Sequence, residues 1–571
     1  MGSARNTFES TGHPSALIID TSRSRRTGGM ERYSIYQNKE NRPFAPIFGQ
    51  TNGRIQMQRV RNLIFGAVFL GFSGMMPLVQ AKGYEVWVSD QANTQGITAE
   101  TPTGTHGGAV RIYDSEDLER TPPVDNPVIL DVTADLFPAA DTATGAHVAR
   151  IHGILPSPDH KYMALNFVVS GHLGIVDGES KSPVCLFRAT GTSTGRQNHM
   201  SFWAPDGKRV IVANQNGRML ERVDVVHNSQ GEVTGFDFNA AASLDLVGGV
   251  GRITDQPVAV DLNPEDGIIC TVSGMVADGQ PTTTPTGALK EAEGIRPLNS
   301  VICPIAASTG QHVFATLGGG GMFVIDMSAT PMRIVAEYDM NVVRAAGCGG
   351  VEAAGFMHLN TGTPGPNISE FSLYRFTIDY PSAPAFNAAN TPAPVAVWAD
   401  ADNGKVAGAD IPAGSNRDAH GLVLVSNPPA ETAYYLHQMD RIRNNVEVFG
   451  ISSSGNHQVF DHAGSYSLTT TNVCGSTVGT TKSNDPTPDL GDLSLAGQTK
   501  GSRIYVALRG PFPLTVSHAA DGSCPGLGII SLSPNLTSGT LTHVLPTTVL
   551  DAEKSKNLSD PHAAIVRVKA E

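Results

Sequence analysis

Four histidines stand at the head of short apolar segments, and imidazole is the side chain best suited to hold a transition metal near neutral pH. His152 opens His-Gly-Ile-Leu-Pro-Ser-Pro158-Asp159, and His199 opens His-Met-Ser-Phe-Trp-Ala-Pro205-Asp206. His420 opens His-Gly-Leu-Val-Leu-Val-Ser426-Asn427, and His562 opens His-Ala-Ala-Ile-Val-Arg-Val568. Asp418 and Asp560 each lie two residues before a histidine, in Asp418-Ala-His420 and Asp560-Pro-His562. A carboxylate so placed can take the second ring N–H and orient the imidazole, or line the same site. If the four rings converge, they suit Cu, Zn or another transition metal ion. If they do not, each ring ties its strand to the backbone of a neighbour and binds nothing. Both readings stand at this point.

The elements that carry these residues read as strands. After three of the histidines a tight turn comes six or seven residues on, and a second apolar run follows: Tyr162-Met-Ala-Leu-Asn-Phe, Val210-Ile-Val-Ala-Asn and Ala433-Tyr-Tyr-Leu-His. A repeat of this kind is the signature of a β-propeller, in which small antiparallel sheets surround one axis. Innermost strands begin at one mouth of the axial channel, so equivalent positions in different blades meet there. The composition agrees with many short strands and turns: 61 Gly, 37 Pro and only 6 % aromatic residues.

The expected fold is therefore all-β, a single propeller of about seven four-stranded blades. Gly83-Tyr84-Glu-Val-Trp-Val-Ser-Asp90 and Ala109-Val-Arg-Ile-Tyr-Asp114 form a hairpin at one end of the domain. The lone strand after Asp560 has no partner beyond it, so pairing of these N- and C-terminal strands closes the ring and covers both edges. An eighth blade is possible around Asn263-Pro-Glu-Asp266-Gly and Ile268-Ile-Cys-Thr-Val272, but the Pro/Thr/Gly-rich stretch after it favours an insertion.

Residues 1–56 carry Arg23, Arg25, Arg26, Arg32, Arg42 and Arg54 without a sustained apolar period, which reads as disorder or as translation from an upstream start. Residues 57–81 read as a signal peptide. Met57 is followed by Arg59 and Arg61, the apolar run Leu63 to Val79, and small residues ending at Ala81. That run is short for a membrane span. Residues 82–571 form the propeller domain, placed in the periplasm or outside the cell, with no stable membrane span once the leader is cleaved. Residues 1–81 hold 10 Lys+Arg and 4 Asp+Glu of the chain's 40 and 53, leaving 30 against 49, a formal net of −19. So acidic a domain is no nucleic-acid binder, since that function needs a basic patch.

None of the six cysteines forms a CxxC or CxxCH motif, which excludes zinc ribbons and c-type haem attachment. In an exported chain they point to disulfides. Cys474 with Cys524 is the favoured bridge and Cys270 with Cys303 a second.

The His-Gly and His-Ala blade starts, the Ser-Pro-Asp and Ala-Pro-Asp-Gly-Lys turns, and strand pairs such as Arg209-Val-Ile-Val-Ala-Asn together resemble the YVTN-repeat, lactonase-like group of bacterial β-propellers. The resemblance spans most of residues 83–569 and implies a fold more than a chemistry, because that group holds sugar lactonases and binding proteins alike.

Other motifs add little. Gly318 to Gly321 lacks the Lys-Ser/Thr and the helix of a P-loop and reads as a tight hairpin. Asp400-Ala-Asp402-Asn403-Gly404 fails the EF-hand spacing. No Gly-x-Ser-x-Gly elbow is present. Arg509, in Arg-Gly-Pro-Phe-Pro-Leu, is a candidate for the rim of a pocket, whereas His358 and His437 fall inside second strands and read as packing residues. The function expected is a binding module of the cell envelope, holding a metal ion, a small molecule or a protein at the channel mouth. The rival is an enzyme on the same face: a metal-dependent oxidoreductase or a lactonase-like hydrolase.

Overall fold

Alternating apolar runs separated by Gly, Pro, Asn and Asp turns fold here into strands of two to nine residues, many joined by short hairpins. A computed structural model describes residues 83–92, 107–281, 284, 295–296, 298–343, 347–361, 371–381, 390–399, 417–426, 433–452, 462–468, 486–494, 502–515, 522–551 and 556–570. The leader, Cys474 and the Asp400–Gly404 motif lie outside them. No helix among the described residues is long and apolar enough to cross a membrane.

The turns follow their side chains. In the loop after Ile151–Pro156, Ser157 Oγ accepts from Tyr162 N at 2.9 Å, and Ser157 N donates to Tyr162 O at 2.8 Å. In the next sheet, Asp206 accepts from Lys208 N at 3.0 Å, and Gly207 takes the left-handed φ of 70° that closes the turn.

Among the described residues, six antiparallel sets of four strands follow one another, beginning with Ile151–Pro156, Asn198–Trp203, Ser300–Ala306, Gly350–Ala353, Ala419–Ser426 and Pro488–Leu493. A further set combines Pro561–Val568 with Tyr84–Asp90, Ala109–Asp114 and Val128–Asp131. Within it Trp87 faces Ile565 and Val88 faces Ala564, so the N- and C-terminal strands pair as expected.

Each set touches the next. Trp203 Nε1 donates to Leu155 O at 3.3 Å, and His199 to Ile302 O at 3.0 Å. Cys303 is bonded to Cys348, and Asn360 Nδ2 donates to His420 O at 3.0 Å. Arg441 meets Asp489 at 3.3 Å, Leu490 bridges to Ala563, and His562 donates to His152 O at 3.0 Å. Sheets succeeding one another around a common centre in this way are the arrangement of a β-propeller.

The centre is apolar, filled by side chains from the first strands and their neighbours, among them Ile154, Met200, Ile305, Leu359, Leu490 and Ile565. Fully burying one Ile or Leu side chain stabilises by roughly 1.5–3 kcal/mol.

The segment around Asn263 builds no sheet of its own. Val258–Asp261 adds a fifth strand beside Pro183–Arg188, and Ile269–Ser273 runs parallel to Val233–Asn239 on the adjacent set. The Cys185–Cys270 disulfide pins this bracket across the two outer edges. The expected Cys270–Cys303 bridge is thereby corrected, because Cys303 pairs with Cys348 instead. Each of these disulfides joins different sheets, a proximity that linear spacing does not carry. Cys524 is disulfide-bonded, and Cys474, its partner in the favoured bridge, lies outside the described residues.

Candidate metal centre

One local device brings the candidate residues together. In the first strand of a set, Ile151 faces Phe167 and Ile154 faces Leu165, so His152 and Gly153 stand opposite the single residue Asn166. The same count recurs for His199 and Met200 opposite Ala213, and for Ile302 and Cys303 opposite Thr316. It recurs again for His420 and Gly421 opposite Met439, and for Asp489 and Leu490 opposite Ala507. In the closing set the register slips around His562. A β-bulge turns the extra residue out of the pleat and re-aims its side chain. Here it aims them at each other. The glycine after His420 is needed because a Cβ there would sit 2.4 Å from the main-chain oxygen of Asp489.

The four rings form a continuous row. His420 and His562 lie 5.4 Å apart between ring centroids, His562 stacks on His152 at 3.6 Å, and His152 meets His199 edge-on at 4.5 Å. At one end His420 Nδ1 lies against Asp489 Oδ1. One donor atom each from His420, Asp489 and His562 falls within a mutual 4.8 Å.

The second ring nitrogens are spoken for. His562 Nδ1 donates to His152 O, and His199 Nδ1 to Ile302 O. These are the strand-to-neighbour ties foreseen as the structural role. They also fix the tautomer, leaving the Nε2 lone pair of His562 available to an ion. Nε2 of His562 and Nε2 of His152 are buried with no hydrogen-bond partner. His152 Nδ1 receives the Gln91 amide at 2.7 Å, which places the His152 proton on Nε2; rotating that amide by half a turn reverses the assignment.

Burial sets the charge of the row. It pushes His199 down to about 3 and holds His152 and His562 well below the usual imidazole range, with the neighbouring rings and Arg509 adding to the effect. His420 is also lowered by burial, against the pull of Asp489. Burial alone would raise Asp489, but His420, Arg441, His562 and Arg509 outweigh it and keep this carboxylate ionised. Burial thus favours the neutral form of His152, His199 and His562, the form in which imidazole binds a metal, while the cations around Asp489 favour its anion.

Asp418, Asp560 and Arg509 lie behind the row, fully buried and engaged with one another's network. Arg509 reaches Asp489 at 2.6 Å and Asp560 at 2.7 Å, and Arg441 reaches Asp418 at 2.7 Å. Arg509 is thus a brace between inner strands, with its Nη2 also donating to Thr515 O at 3.2 Å. Burial, outweighing Arg441, lifts Asp418 to about 7. His358 and His437 sit in second strands, buried and apart from the row. Asp489 is the residue the sequence reading passed over. It occupies the same bulge position as the histidines, one residue into its strand, and that register was the available signal.

A cavity of about 330 Å³ is lined by Met200, Phe202, Cys348, Leu422, Leu490 and Ile565, among others.

No family model matches the chain, and no curated protein sequence does. Among solved structures it is similar to the periplasmic gluconolactonase PpgL of Pseudomonas aeruginosa, at 10 % identity over 86 % of this chain and 100 % of that one, with a TM-score of 0.42. A putative 6-phosphogluconolactonase of Bacteroides uniformis gives 10 % identity over 85 % and 99 %, with a TM-score of 0.41. The β-propeller domain of Cps50 from Myceliophteria thermophila gives 10 % over 70 % and 88 %, with a TM-score of 0.33. At such identities and scores none of these likenesses bears on the site.

Proposed function

We propose that the chain is a seven-bladed β-propeller of the cell envelope that binds one divalent transition-metal ion at its channel mouth. His420, His562 and Asp489 are the donors, and His152 is the adjoining ring. The observation that carries this reading is the convergence, from three separate strands, of three donor atoms within 4.8 Å. Metal bonds of about 2.0–2.2 Å would draw these atoms closer by a small movement. Export is supported by the leader read from sequence and by the Cys185–Cys270 and Cys303–Cys348 disulfides, which belong to oxidising compartments.

The test is metal loading. Protein purified without an affinity tag and stripped with chelator is titrated with Zn(II) and with Cu(II), and the bound metal is counted by elemental analysis. One equivalent is expected for wild type, and a large loss of occupancy for His420→Ala and for His562→Ala. No stoichiometric uptake, or uptake unchanged in the double variant, overturns the proposal.

A second reading, a metal-dependent hydrolase or oxidoreductase, draws on the donor count. Three protein donors leave a coordination position for water or substrate, as catalytic sites require. Lactone hydrolysis or substrate oxidation that rises with metal content and vanishes in His562→Ala would favour it.

A further inference from the structure

The far end of the histidine row holds a different set of atoms. Cys303 lies on the bulge of Ser300–Ala306, and Cys348 lies just before Gly350–Ala353. Both are buried and joined as a disulfide. His199 stands beside them, and one ring nitrogen and the two sulfurs lie within 4.8 Å of one another. The ring is held by its hydrogen bond to the carbonyl of Ile302, the residue before Cys303. An imidazole anchored to a backbone carbonyl through one nitrogen is the usual setting of a metal-bound histidine. Disulfide sulfurs are poor donors, whereas a pair of thiolates is a strong, soft one.

We propose that His199, Cys303 and Cys348 form a second, redox-gated site for a thiophilic d10 cation, Cu(I) or Zn(II). Oxidised, the cysteines are a covalent tie between two sheets and bind no metal. A dithiol reductant passes two electrons and two protons to the S–S bond and itself becomes a disulfide. The protein bond breaks into two thiols, and the incoming cation displaces their protons and is held by two Sγ atoms and one ring nitrogen. Cys348 lines a cavity of about 330 Å³, which gives small reagents an approach. The two sheets stay joined without the disulfide, because Ser308 N donates to Glu352 Oε2 at 2.7 Å and Thr316 Oγ1 to Gly347 O at 2.9 Å. None of the three donors of the first site is used.

The experiment compares oxidised protein with protein reduced anaerobically by dithiothreitol and desalted, each titrated with Zn(II) and with Cu(I). The reduced wild type is expected to bind one equivalent more than the oxidised form, with sulfur scattering at about 2.3 Å in zinc X-ray absorption. His199→Ala loses that added equivalent, and so does the Cys303→Ala/Cys348→Ala pair. Cys185→Ala/Cys270→Ala keeps it, which separates this site from the other reduced disulfides. His420→Ala/His562→Ala also keeps it, so failure of the first site is distinguishable from failure of this one. No gain on reduction, or a gain that survives in His199→Ala, overturns the proposal. If the cysteine pair variant does not fold, His199→Ala decides.

Discussion

His562 stacks on His152 with ring centroids 3.6 Å apart and donates to its main-chain oxygen, although 410 positions separate them in the chain. Two buried imidazoles so close cannot both carry charge at reasonable cost, and burial keeps both neutral. The contact therefore positions a closing strand and preserves a lone pair in the same act.

The brace behind the row is the costliest place to intervene. Arg509→Met leaves the carboxylates of Asp489 and Asp560 buried without their shared cation, and the expected loss is about 3–5 kcal/mol. Urea denaturation measures it. A variant as stable as wild type would remove the bracing role. Adding Asp560→Asn to Arg509→Met should recover part of the loss.

Gly421→Ala tests the bulge. The new Cβ meets the Asp489 main-chain oxygen at 2.4 Å, so the two inner strands must move apart. A loss of roughly 1–3 kcal/mol is expected from overpacking, together with weaker metal uptake, because His420 and Asp489 separate. Unaltered stability and uptake would show that the strands have slack.

Acid should destabilise the fold through histidines remote from the site. His437 donates from Nε2 to Leu536 O at 2.9 Å, and burial holds its pKa down to about 4. Its unfolded value is about 6.5. Between these values the unfolded chain binds a proton that the native chain refuses. Stability is thus full above about pH 6.5 and falls as pH drops towards 4, by on the order of 3 kcal/mol for this group. His437→Gln should be weaker at pH 7 and lose less between pH 7 and 4.5. An identical pH slope in the variant would assign the acid sensitivity elsewhere.

Closure can be tested by shortening the chain. Removing residues 561–571 takes away the strand that pairs with Tyr84–Asp90 and exposes two edges. Aggregation and a lower melting temperature are expected, read by light scattering and calorimetry. Unchanged melting would make the closing strand dispensable.

Much of this was legible in sequence, for physical reasons that also mark where legibility ended. The blade starts were visible because a bulge followed by two hairpin strands constrains residue types locally, as in His152-Gly153 and His420-Gly421. Asp489 was hidden because the shared feature is a register, and a register has no preferred side chain. The Cys270–Cys303 pairing was misread because Cys303 and Cys348 meet across two sheets, and Cys270 reaches Cys185 only through a strand that leaves one sheet to join the next. Arg509 looked like a loop residue in Arg-Gly-Pro-Phe-Pro; its partners are Asp489, in a strand before it, and Asp560, at the head of a strand after it.

Each ring in the histidine row comes from a different sheet, with His152 and His562 flanking the seam where the two ends of the fold are sewn together. No contiguous fragment of the chain that omits His152 or His562 can assemble the row. A proteolytic cut that let the seam gape would release an ion held there before it unfolded any single sheet. Loss of bound metal would then be an early, sensitive report of a damaged ring, and a bound ion would act as a clasp between the closing strand that carries His562 and the blades that carry His420 and Asp489.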